Sequence, residues 1–384
     1  MTKKKIDEAF MALIKAGLWE TGVYLASYDK IDFYAIYRLA QEQSVEGLVA
    51  AGLEHVKDVK IPQKNTLEFV SSALLIEQCN KQMNEFLGSL VDEMRGADIY
   101  ALVVKGQGIA QCYERPLWRT SGDIDFFLSE SNYKKAKAFL TAKASYISEE
   151  LEKRMHFAAT IDTWEVELHG TLHAGIKRSV DKVIDEAQSE VFHNGSVRSW
   201  MNGKTQVFLP REDEDVIFVF THILQHFFKG GIGLRQICDW CRLLWMFRSS
   251  INYELLETRL KRARIMTEWK TFAAFAVDYL GMPVDAVPFY SPKSVWSHKA
   301  NLILSYIIET GNFGHNRDNS YQSEQPILTR KMITLWRQAK DSFRLMKIFP
   351  KDALISLMHF GWRGAKDVLN DNEIEGETIK WEHK

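Results

Sequence analysis

The chain has 384 residues, 46% of them hydrophobic, with 49 basic and 50 acidic side chains and a formal net charge of −1. That length allows one large or two medium domains, and the apolar share is ample for a core. The charge balance excludes a protein that coats nucleic acid non-specifically, since such binding needs an excess of Lys and Arg; it leaves room only for a local basic patch.

Four cysteines, Cys79, Cys112, Cys238 and Cys241, are too few for a disulfide framework at this length. The opening "MTKKKIDEAFMALIKAG" mixes charge with apolar residues at helical spacing and lacks the unbroken apolar run of a secretory signal. The longest apolar stretch, "VIFVFTHILQHFF", is too short and too polar to span a bilayer. The reading is a soluble, cytoplasmic protein with no membrane insertion.

Residues 1–95 carry apolar positions three and four apart in "IDEAFMALIKAGLW", "DFYAIYRLAQEQSVEGLVAAGL" and "TLEFVSSALLIEQCNKQMNEFLGSLVDEM", a helical region broken at Pro62. The period then changes. "IYALVVKG" (99–106) is a short β-branched run ending in Gly, and "DIDFFL" (123–128) is a second strand. Ser131 is placed to cap a helix over "NYKKAKAFLTAKA". "MHFAATI" and "WEVELHG", separated by Asp162 and Thr163, form an antiparallel pair. From about residue 177 helical periods dominate. Pro210 and "REDED" fall in one helix's first turn, which suits its dipole. Gly230, Gly231 and Gly233 break the pattern before "LRQICDWCRLLWMF", and further helices fill 253–280, 292–310 and 328–368. The expected architecture is α+β: a core of small mixed sheet over 96–205, embedded between helical regions at 1–95 and 206–384.

Asp123 and Asp125 are two apart in a strand, so they share a face roughly 7 Å apart while Ile124 faces the other layer. Two such carboxylates repel unless a cation lies between them. Divalent ions fit that gap, as in phosphoryl-transfer sites. Glu167 offers a third carboxylate from a neighbouring strand, and Glu165 shares its face. The plainer alternative is a strand face in water.

"VVKGQGIAQCYERPLWRTSGDIDFFL" resembles the nucleotidyltransferase superfamily of DNA polymerase β and the aminoglycoside nucleotidyltransferases, where a strand ends in Gly-Gly or Gly-Ser and the next carries Asp-x-Asp. More narrowly it is similar to a bacterial family of uncharacterised nucleotidyltransferases. The matching elements are Lys105-Gly106, Tyr113, Pro116, Arg119 and Gly122 to Asp125, then Glu167, Leu168 and His169, then His222, His226, Gly233, Arg235 and Asp239. Gln107, followed by Gly108, stands where the superfamily has its second Gly or Ser, and the third acid is Glu rather than Asp.

The resemblance implies that Asp123, Asp125 and Glu167 are catalytic and hold Mg2+ or Mn2+. It further implies that Lys105, Gly106, Gln107, Arg119 and Gly122 meet the nucleotide. Lys105 is either a point charge for the triphosphate or a solvated strand end. Arg119 either binds phosphate or pairs with an acid to fix its loop. His169 either orients Glu167 and touches substrate or is a buried structural histidine. His222 and His226, four apart, have zinc-compatible spacing but no Glu between them, so they line a substrate cleft with Arg235 or pack the core. Arg235 and Asp239, also four apart, are expected to pair. Cys238 and Cys241 read as core. "RLKRAR" (259–264) and the basic stretch 330–351 read as solvated helix faces, with Trp336, Phe343 and Phe349 as a conceivable RNA or partner surface.

The expected function is a metal-dependent nucleotidyltransferase that moves a nucleoside monophosphate from a nucleoside triphosphate to a hydroxyl of an unknown acceptor, a small molecule in preference to RNA. Two alternatives stand beside it: a nucleotide-binding or interaction protein that kept the fold without catalysis, and a toxin-like enzyme acting on tRNA.

Overall fold

The computed structural model describes residues 3–28, 30–312 and 327–354. The chain divides into two compact units, residues 1–317 and 318–384.

The first unit opens with α1 (Lys3–Trp19), α2 (Phe33–Glu42), α3 (Glu46–Glu54) and the 34-residue α4 (Gln63–Gly96). Asp32 starts α2, its carboxylate accepting the Ala35 N–H that would otherwise go unpaired. On α4 the buried positions Phe69, Ala73, Asn80, Met83, Leu87, Leu90 and Met94 recur at three and four, which lays one stripe along the sheet.

Seven strands form one mixed sheet: β1 (Leu102–Val104), β2 (Asp123–Phe127), β3 (Tyr146–Leu151), β4 (His156–Ile161), β5 (Trp164–His169), β6 (Val197–Asn202) and β7 (Thr205–Pro210), in the order β3-β4-β5-β2-β1-β7-β6. β2 runs antiparallel to β1 and parallel to β5. The short α5 (Gly106–Ala110) follows β1, and α6 (Glu130–Thr141) follows β2. One sheet face is apolar. Val103, Ile124, Phe126, Val166, Leu168 and Phe157 join Leu87 and Leu90 of α4 and Tyr133 and Leu140 of α6 in a buried cluster. Each such side chain contributes about 1.5–3 kcal/mol by leaving water.

The other face carries Asp123, Asp125, Glu165, Glu167, His156 and His169. At one end of it Phe127 packs against Phe192 of α7 (Arg178–Asn194) and Phe218 of α8 (Glu212–Lys229), with ring centroids 4.6 and 5.7 Å away. Toward the other end the face opens: Gly122 is exposed, and Asp123 and Glu165 are part-buried. α9 (Leu234–Met246), α10 (Tyr253–Ala263), α11 (Met266–Leu280) and α12 (Ser294–Thr310) complete the unit.

The α+β class expected from the sequence stands, as does the antiparallel pair β4–β5. Several local expectations are corrected. Helix returns at α7 as expected but is then interrupted, because β6 and β7 form a hairpin turned at Gly203, whose φ of +60° glycine tolerates. Pro210 ends β7, and α8 begins two residues later with Glu212, Asp213, Glu214 and Asp215 in its first turn. Ser129, not Ser131, occupies the cap position of α6. In the second unit α13 spans Ile327–Ile348. Trp336 and Phe343 are exposed on it, but Phe349 is buried and belongs to no surface patch. The part of the expected 328–368 helix beyond residue 354 lies outside the described residues. No described helix is long and apolar enough to cross a membrane.

Candidate active site

Strand register assembles the acids. In the parallel pair β2–β5, Asp125 stands opposite Glu167 and Asp123 opposite Glu165, so all four project from one face. Ligand oxygens of Asp123, Asp125 and Glu167 lie within 4.8 Å of one another. Glu165 turns to the Ser148 hydroxyl at 2.5 Å instead.

Each acid has a distinct environment. Asp125 is buried, and its Oδ1 accepts the Lys105 ammonium at 2.9 Å and faces His169 Nε2 at 2.7 Å. Burial alone would raise its pKa, but Lys105 and His169 overcome that and hold it below the usual carboxylate value. Glu167 Oε2 lies 3.3 Å from both His156 Nε2 and His169 Nε2, and these rings outweigh burial to hold it well below the ordinary range. Asp123 has only the field of Lys105 and Arg235, which is outweighed. Its carboxylate finds no hydrogen-bond or ion-pair partner among the described residues, and burial, Asp125 and Glu167 push its pKa up to about 6. An uncompensated carboxylate facing two ionised ones fits a cation, and an all-oxygen donor set suits a hard divalent ion such as Mg2+ or Mn2+.

Lys105 joins β1 to α5 with a left-handed backbone, φ +56°, uncommon for a residue bearing a Cβ. That bend turns its ammonium onto Asp125. Burial would depress the ammonium's pKa, but Asp125 and Glu167 raise it. Gly106 follows at φ +32°, close against the Asp123 carbonyl. Gly122, just before β2, is exposed with open space around it.

Other candidates lie elsewhere. Gln107 is buried; it donates to Asn80 at 3.3 Å and accepts from the Ser121 hydroxyl at 2.7 Å, tying α4 to the 119–122 loop. Arg119 is fully engaged: Nε and Nη2 donate to the two Asp239 oxygens at 2.9 and 2.7 Å, and Nη1 donates to the Ser121 hydroxyl at 2.9 Å. The Tyr113 hydroxyl donates to the same Asp239 at 2.7 Å. This overturns the expected Arg235–Asp239 pair. Arg235 instead gives one N–H to the Thr120 carbonyl at 2.8 Å, while its buried Nε has no partner. A second, better-aligned guanidinium holds Asp239 from across the fold.

His222 and His226 stack edge-on along α8, ring centroids 4.3 Å apart and both part-buried. Burial, with the Lys105 charge adding to it, lowers both pKa values, that of His226 to about 3, so the rings are neutral at pH 7. They belong to neither group of side chains near enough to share a metal among the described residues.

Two residues at the site escaped the sequence reading. His156 was legible: a turn at Asp162 and Thr163 pairs Ile161 with Trp164, and counting outward brings His156 opposite His169. Glu46, at the start of α3, carried no such signal. Its carboxylate accepts from the Thr120 hydroxyl at 3.4 Å, and burial pushes its pKa up to about 7.

A family model described as "uncharacterised nucleotidyltransferase" matches residues 29–281, a span that holds the whole sheet and every residue of the candidate site. The chain belongs to this family. No curated protein and no solved structure matches it. Membership in a nucleotidyltransferase family makes a nucleoside triphosphate the implied substrate and fits the acidic cluster as a metal-binding site.

Proposed function

We propose that this nucleotidyltransferase transfers a nucleoside monophosphate from a nucleoside triphosphate to a hydroxyl acceptor. The convergence of Asp123, Asp125 and Glu167, with Asp123 left uncompensated, carries the reading. Those three side chains would hold divalent ions, which when bound neutralise charge on the phosphates and on the departing pyrophosphate. Asp125, fixed by Lys105 and His169, is the rigid member of the set, and Asp123 is the one free to adjust. The acceptor oxygen bonds to the α-phosphorus as the bond to the β-phosphate bridge breaks; the acceptor proton passes to a carboxylate of the cluster. Lys105, half-buried beside Asp125, offers its charge to the triphosphate. The neutral rings of His222 and His226 and the spare edge of Arg235 line the cleft in which substrate would sit. The engaged side chains of Gln107 and Arg119 support the loop leading to β2 and leave the nucleotide to Lys105, Gly106 and the open ground at Gly122. A net charge of −1 favours a small acceptor over RNA.

Pyrophosphate release, measured with Mg2+, each nucleoside triphosphate and a panel of hydroxyl compounds, tests the proposal. Metal-dependent release that is lost in Asp125→Ala supports it. Nucleotide binding without release across a broad panel would leave a binding protein and sink the catalytic reading.

A further inference from the structure

The acid face holds a second donor set that nucleotidyl transfer does not require. We propose that His156, Glu167 and His169 form a nitrogen-bearing site for a transition-metal dication, beside the all-oxygen set and sharing Glu167 with it.

The antiparallel β4–β5 ladder places His156 opposite His169 and Ala158 opposite Glu167, so the three donors stand on one face. One ligand atom from each lies within 4.8 Å of the others. The spacings also suit a shared ion. Both Nε2 atoms lie 3.3 Å from the same Glu167 oxygen. That is long for a charge-assisted N–H···O bond, about 2.7–2.9 Å. It is the edge expected between neighbouring ligands when each sits about 2.0–2.2 Å from one ion, as imidazole and carboxylate do.

His169 Nε2 lies 2.7 Å from Asp125 and 3.3 Å from Glu167, so this ring stands between the two donor sets. On the far side of the His156 ring, Nδ1 lies 3.3 Å from Glu149 Oε2 without a hydrogen bond to it. Two imidazoles and a shared carboxylate select a borderline ion such as Zn2+ or Cu2+ over Mg2+ and Mn2+, which suit oxygen donors.

The test uses the full chain stripped of metal, with Cu2+ as probe and no nucleotide present. Pulsed electron paramagnetic resonance reports whether nitrogen is bonded directly to the ion. Direct 14N coupling is expected in the wild type and in Asp123→Asn, with about half the nitrogen signal in His156→Ala. His156→Gln replaces that variant if circular dichroism shows it unfolded. Bound Cu2+ with oxygen ligands only, or nitrogen coupling unchanged when His156 is replaced, overturns the proposal. Because no turnover is measured, failure of the transfer reading leaves this result standing, and the reverse holds too.

Discussion

The loop before β2 and the strand it leads into both hold buried charge, and they treat it in opposite ways. At the loop, Asp239 accepts from Arg119 twice and from Tyr113 once, so its charge is fully paired. A few residues on, Asp123 meets two other carboxylates, with Lys105 and Arg235 acting on it only through their field and no ion pair of its own among the described residues. Closed charge of the first kind holds a shape. Open charge of the second kind raises the energy of the empty protein and lowers that of whatever cation arrives. The contrast separates support from chemistry more clearly than burial does, since both regions are largely enclosed.

The contrast breaks if the two carboxylates respond alike to mutation. Asp123→Asn should reduce nucleotidyl transfer by about 10³- to 10⁴-fold, about 4–5.5 kcal/mol of transition-state stabilisation. Its unfolding midpoint should hold or rise, because repulsion within the cluster is relieved. Asp239→Ala should do the reverse. Stranding the Arg119 guanidinium costs about 3–5 kcal/mol in denaturant unfolding, and activity should survive in whatever fraction stays folded. A loss below about 1 kcal/mol would mean Arg119 reaches water or another acid.

Glu46 sharpens the comparison through pH. Its folded pKa of about 7 lies above the ordinary 4.5, so the folded chain holds this proton more tightly than the unfolded one. Its contribution to stability is therefore complete below about pH 4.5 and is lost as pH rises through about 7. Comparing wild type with Glu46→Gln from pH 4.5 to 8 should show the wild type falling behind by at most about 3 kcal/mol. A constant difference across that range would refute the raised pKa. The smallest effect is expected at Gln107. Gln107→Ala leaves Asn80 and Ser121 short of one partner each and should cost about 1–2 kcal/mol, with little change in the KM for nucleotide. A large rise in KM would return Gln107 to the nucleotide.

Much of the site could be read from residues alone because it is local. Asp-x-Asp in a strand fixes a shared face whatever else the chain does, and a two-residue turn fixes the β4–β5 register on which Glu167 and His169 ride. What escaped was either charged or distant. β3, "YISEEL", is an edge strand with almost every residue exposed, so it lacks the apolar signal of a buried one. The β6–β7 hairpin did carry an Asn202-Gly203 turn, but helical periods on either side drew attention from it. Asp239 had two candidate partners, Arg235 one helical turn away and Arg119 across the fold, and spacing favours the near one until the loop's path is known. Glu46 reaches Thr120 only because α3 packs beside that loop, which no pattern within α3 announces.

The clasp between Arg119 and Asp239 joins residues 120 positions apart. Ribosomes add about 5–20 residues per second, so a nascent chain carries that arginine for roughly ten seconds before its acid is even synthesised. The segment that presents the aspartates lacks this tie during that interval, and a prematurely terminated product ending ahead of α9 would leave the guanidinium unmatched for good. The last anchor of the loop before β2 thus waits on synthesis of a helix well downstream of it.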